Sequence, residues 1–117
     1  MSYTDLMAFQ RDTAALGQVS GRLGWDQETV MPRGAGPQRA EEMAAMASVL
    51  HERRIDPRIG DWLAAIDATG LDAVGRAQLR HIKRDFDRTA KLPVALAAEL
   101  ARTRSQAHLA WAEARKD

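Results

Sequence analysis

Three histidines, scattered carboxylates and a dense set of arginines are the side chains here that could do chemistry, and their spacing decides which chemistry is open to them. His51-Glu52 comes nearest to a catalytic pattern. A zinc hydrolase centre on one helix needs H-E-x-x-H, where two imidazoles one turn apart hold the metal and the Glu acts as general base for its bound water. Position 55 is Ile, so the second ligand is missing and the pattern is rejected as a metal motif. His51, His81 and His108 fall on three different predicted helices, and each has an arginine at a same-face spacing: Arg54, Arg84 and Arg104. Positive charge beside each imidazole opposes convergence on a cation. The residues therefore assign no metal ligand, no catalytic residue and no cofactor site, and the imidazoles read as surface or partly buried groups.

Other constellations are equally bland. Glu41-Glu42 reads as a surface doublet rather than a catalytic dyad. Gly34-Ala35-Gly36 lacks the Lys-Ser/Thr ending and the preceding strand of a phosphate loop. Arg76, Arg80, Lys83, Arg84 and Arg88 form a basic helix face, but Asp85 and Asp87 interrupt it and no aromatic other than Phe86 is interleaved for base stacking; a solvated face is the reading, with no nucleic-acid partner. Trp62 and Trp111 are expected in the core. Trp25 stands at the edge of a turn as a hinge-packing residue, beside Asp26, a carboxylate placed to pair with Arg33 or Arg39.

The elements that must position these groups are helical. Leu6, Phe9, Leu16 and Leu23 predict a first helix from about Tyr3 to about Trp25, and Gly17, Gly21 and Gly24 within it suggest a tight contact with a neighbour. Pro32, Gly34, Gly36 and Pro37 make a rigid turn, after which Ala40, Met43, Ala44, Ala47 and Leu50 form the apolar stripe of a second helix. Asp56-Pro57 opens a short third helix, with Ile59, Trp62, Leu63 and Ile66 inward and Gly70 as its stop. Asp72 caps a fourth, burying Leu79, Ile82 and Phe86. Leu92-Pro93 leads into a fifth, with Leu96, Leu100, Ala107 and Trp111 as its stripe and no stop signal before Asp117. No alternating strand pattern or repeat appears, so the fold class is all-α: about five helices in antiparallel hairpins, forming one domain over residues 1–117.

Composition agrees. The 117 residues, 45% hydrophobic and 28% charged, suit a folded chain with a modest core. A net charge of +1 gives no global field towards nucleic acid or anionic membrane. The N-terminal stretch has no signal-peptide core, no apolar run approaches the roughly 20 residues of a membrane span, and the lack of Cys is compatible with a reducing compartment. A soluble chain with no membrane partner is expected.

Taken together, Trp25-Asp26-Gln27-Glu28-Thr29, Met31-Pro32 and Arg39-Ala40-Glu41 opening a helix resemble the N-terminal signature of the carboxypeptidase Taq family. His51-Glu52, Leu92-Pro93 and Trp111-Ala112-Glu113-Ala114-Arg115 extend the likeness over essentially the whole chain. The resemblance implies a cytoplasmic zinc metallocarboxypeptidase with a long, gluzincin-like all-helical fold, releasing C-terminal residues from peptides and usually working as a homodimer. In that family the zinc and its ligands, an H-E-x-x-H helix and a later Glu, lie downstream of the region matched. The resemblance therefore implies that this chain is the N-terminal, channel-covering helical region, silent by itself, with peptide substrate bound only by the complete enzyme. Trp25, Asp26, Met31 and Pro32 match the family pattern, and channel-lining or structural roles are expected for them. The alternative is a stand-alone helical interaction or dimerisation module derived from the same family.

Overall fold

The computed structural model describes residues 2–116. Among them are five α-helices, α1 (Ser2–Thr29), α2 (Gly36–Arg54), α3 (Pro57–Ala65), α4 (Ala73–Thr89) and α5 (Val94–Ala114), with short 3-10 turns at Arg33–Ala35 and Ala68–Gly70. The all-α expectation holds. The molecule is elongated, 59 × 25 × 20 Å with a radius of gyration of 17.5 Å, against about 13 Å for a compact domain of about 100 residues.

Local chemistry explains the boundaries. The Asp56 carboxylate accepts from the Arg58 N–H at 2.9 Å, with Pro57 in the first turn of α3. Asp72 accepts from the Gly75 N–H at 2.8 Å and opens α4. Each satisfies an amide that has no intrahelical partner, and Pro57 has none to satisfy. Three boundaries differ from expectation. α1 runs through Trp25 to Thr29, whose hydroxyl donates to the Trp25 carbonyl at 2.7 Å, before Val30 and Met31 both donate to the Asp26 carbonyl and end the helix. α3 ends at Ala65, and Gly70 closes a separate 3-10 turn that Asp67 caps through the Thr69 N–H. α5 ends at Ala114.

Two packing centres result. At one end Leu6, Phe9 and Ile59 are buried, surrounded by Met7, Trp62, Leu63, Ile66, Leu79, Ile82 and Phe86. The inward faces expected for α1, α3 and α4 meet here, with the Phe9 and Trp62 rings 5.7 Å apart and tilted by 59°. At the other end α5 lies on α2, the most extensive helix interface in the molecule. Both neighbours of α2 are antiparallel to it: Arg53 bonds back to Thr13 and Arg39 to Asp26 on α1, while His51 meets Leu92 and Gly36 meets Leu109 at opposite ends of α5.

The α5 register overturns an expectation. Leu96, Leu100 and Trp111 are 44%, 41% and 55% exposed, and Ala107 is exposed with them. Trp111 is therefore not a core residue. The face laid on α2 is built instead from smaller side chains, with Ser105 buried and Ala97, Ala101 and Ala112 half-buried. They meet Ala40 and Ala44 of α2, both buried. Small residues on both sides allow a close approach: a Cβ on Gly36 would collide with the Leu109 side chain. The glycines of α1 do the opposite of what was expected, since a Cβ on Gly17, Gly21 or Gly24 would meet nothing within 4 Å.

Candidate functional site, the α1–α2 junction and the groove beside it

The turn that joins α1 to α2 is held by one arginine. Arg39, in the first turns of α2 with its side chain 12% exposed, donates from Nη2 to Asp26 at 2.8 Å, from Nη1 to the Leu23 carbonyl at 2.7 Å and from Nε to Glu42 at 2.8 Å. Asp26 first, then Glu42, raises the guanidinium pKa above its ordinary value, because each bond favours the charged form. Of the two partners open to Asp26, the fold selects Arg39. Arg33 pairs instead with Glu113 of α5, which ties the 3-10 turn to the far helix.

The four junction residues separate in kind. Asp26 is engaged by Arg39, and Pro32 caps the 3-10 turn in an extended conformation, φ −62° and ψ 143°. Trp25 is 63% exposed, projecting from the last turns of α1 rather than packing into the hinge. Met31 is half-buried and lines an open groove of about 660 Å3 with Glu28, Arg33, His108 and Leu109.

A second groove, about 490 Å3, runs between α1 and α5 with α2 as its floor. Gln27 crosses it at one end, its side-chain N–H group donating to the Ser105 carbonyl at 3.1 Å and to Ser105 Oγ at 2.8 Å. His51 and Arg54 enter from α2, and Arg104 and His108 from α5. Gln27 falls within the Trp25–Thr29 string, but nothing in the sequence singles out Ser105 or pairs the two. The pairs His51 with Arg54 and Arg104 with His108 were visible as same-face spacings, but that both line one groove depends on the antiparallel pairing of α2 with α5.

His51 is buried at 4% exposure, and its Nε2 lies 2.6 Å from the Leu92 carbonyl oxygen, so this nitrogen carries the proton and donates. It acts as a clamp between the end of α2 and the loop before α5. His81 is exposed on α4 beside a different, apolar surface. The three imidazoles do not converge, and among the described residues no three His, Cys, Asp or Glu side chains gather as a cation site. These residues do not fit a zinc centre, and they support no metal-dependent step. Among the described residues no helix is long and apolar enough to cross a membrane.

The all-helical frame and its Trp-Asp…Met-Pro junction hold no built metal site among the described residues, and it is the sequence as a whole that places the chain in the metallopeptidase class. The family model for carboxypeptidase Taq (M32) metallopeptidases matches residues 5–117, and the chain belongs to that family. It is similar to thermostable carboxypeptidase 1 of Thermus thermophilus, 39% identical over 118 residues, an alignment that covers 97% of this chain and 23% of that protein. The chain thus spans about a quarter of the length of the relative it matches.

Proposed function

We propose that this chain is the N-terminal helical region of a zinc metallocarboxypeptidase, a layer that covers the substrate channel of the complete, cytoplasmic enzyme and is catalytically silent alone. What carries the reading is the family match over nearly all of the chain, set against coverage of only 23% of a full-length relative. Geometry is in keeping with it: His51, which opens the incomplete H-E-x-x-H, is spent on the Leu92 carbonyl and takes a structural role. In this reading Trp25 and Met31 present side chains to the channel, while Asp26 and Pro32 set the angle at which α2 leaves the turn. Zinc would supply a polarised carbonyl and an activated water in the complete enzyme, held by residues downstream of this helical region. Incubation of the purified 117-residue chain with zinc and a blocked dipeptide tests the proposal. No release of the C-terminal residue above a metal-free blank is expected, and release would overturn it.

A second reading, a stand-alone helical interaction or dimerisation module, is favoured by one observation. The outward stripe of α5, Leu96, Leu100 and Trp111, is an apolar row open to solvent, with only His108 and Arg115 of the same helix beside Trp111. Such a row gains by covering itself.

A further inference from the structure

The groove floored by α2 has an unusual balance of polar groups. Arg54, Arg104 and His108 contribute basic side chains to its lining, beside His51, which is committed to the Leu92 carbonyl, against a single carboxylate, Glu28, which is exposed on the α1 side. Most arginines near this part of the molecule are already spent. Arg33 pairs with Glu113, Arg39 with Asp26 and Glu42, and Arg102 with Glu41 and Glu99. Arg53 donates to Thr13 and to the Phe9 carbonyl. Arg54 and Arg104, by contrast, have neither a carboxylate within ion-pair distance nor a hydrogen-bond acceptor among the described residues.

Ser105 adds a neutral donor. It is 4% exposed and its Oγ accepts from Gln27, which leaves the hydroxyl proton available to the groove that Ser105 lines. Gln27 is oriented by the Ser105 carbonyl, which can only accept, so its amide N–H side is fixed towards α5. Two exposed, unpaired guanidiniums and a hydroxyl lining one groove complement the charge of an oxyanion and repel a cation.

We propose that this groove binds a small oxyanion, either the free carboxylate of a short peptide or acid or an inorganic phosphate, held by Arg54 and Arg104 with Ser105 as an oriented donor. The groove alone carries this inference, whether or not the chain belongs to a working peptidase. It also gives a use to the same arginines that exclude a cation beside His51 and His108.

Titrating the isotopically labelled 117-residue chain by NMR tests it, with three probes: an N-acetylated alanine dipeptide bearing a free carboxylate, the same dipeptide as its amide, and inorganic phosphate. The acid is expected to shift the amides of Arg104, Ser105 and His108, with the carboxamide about tenfold weaker or silent, as expected for loss of a charge-assisted bond. Binding of the acid alone marks a carboxylate site, and competition by phosphate at the same resonances marks a general oxyanion site. Arg54→Gln and Arg104→Gln are each expected to weaken the acid about fivefold or more, while Arg22→Gln, exposed on α1 outside the groove, leaves it unchanged. Should either groove variant lose helicity, the wild-type chain decides through salt, because an arginine-held anion must weaken as ionic strength rises. Equal shifts from acid and carboxamide, undiminished binding in the helical groove variants, or affinity indifferent to salt would overturn the proposal.

Discussion

Single side chains tie neighbouring helices of this molecule to one another, and most of them are arginines. Arg53 shows the pattern: it donates to Thr13 Oγ1 at 2.9 Å and to the Phe9 carbonyl at 3.1 Å, while its guanidinium lies 4.0 Å from the centre of the Phe9 ring. A planar, permanently charged group can do all three at once, which a lysine could not. Arg102 plays the matching part on α5, where Glu41 and then Glu99 raise its pKa above its ordinary value and Glu41 is lowered in return. The N-cap of α3 offers the clearest test at this scale. The Asp56 pKa is lowered by the Arg58 side chain first and then by the Arg58 backbone N–H. A carboxylate lowered in the folded state adds stability above its unfolded pKa of about 4, and that stability is lost as pH falls through the lower folded value. Asp56→Ala is therefore expected to cost about 1 kcal/mol near neutrality, with Arg58 adding little because its exposed guanidinium is screened by water. Urea unfolding of both proteins from pH 7 down to pH 2.5 should show the gap closing only below about pH 4; a gap constant across that range would contradict the assignment.

At the scale of elements, α1 and α5 carry similar apolar patterns but pack by different faces. The large apolar residues near the start of α1, Leu6 and Phe9, mark its buried face, because α3 and α4 meet it with large apolar residues of their own. In α5 Leu96, Leu100 and Trp111 point outward, and Leu109, Ser105 and alanines carry the packing. Alanine recurs on several faces of that helix, so its period says little about which face turns inward. The glycines of α1 follow the same logic in reverse. They have open space around them, so their cost to the helix is not repaid by a close neighbour within this chain. Gly21→Ala should raise the stability of the isolated chain by about 0.5–1 kcal/mol through helix propensity alone. Thermal unfolding monitored by far-UV circular dichroism would check this, and a lowered midpoint would show that some surface does press on Gly21.

For the molecule as a whole, length and thinness are the governing facts. Helices that lie side by side over 59 Å with a width of 20–25 Å bury few residues completely. Leu6 and Ile59 are the largest side chains under 2% exposed, while Trp25, Trp111, Leu96 and Leu100 remain open to solvent. A chain so shaped gains stability by covering its outward apolar rows. Self-association through α5 is the expected outcome for the isolated protein, seen as a weight-average mass in sedimentation that rises with concentration. Leu96→Glu combined with Leu100→Glu should return it to a monomer. A wild-type chain that stays monomeric at the highest concentration reached would remove the dimer reading.

Much of this protein was legible from one dimension. Asp56-Pro57 and Asp72 marked helix starts because capping is a local reaction between a side chain and amides two or three residues away. The Trp25 to Pro32 turn and the family it signals were visible for the same reason, since a specific string of residues needs no partner to be recognised. The missing second imidazole after His51 could be read off the chain as well. What only the tertiary structure decided depends on residues far apart: the choice of Arg39 over Arg33 for Asp26, the burial of His51 against the Leu92 carbonyl, the outward turn of Trp111, and the meeting of Arg54, Arg104 and Ser105 in one groove. The Asp26–Arg39 pair follows from the way α1 meets α2, and the others from the register in which α5 lies against α2. That register is set by the fit of small side chains on two surfaces, a property of the pair that neither helix carries alone.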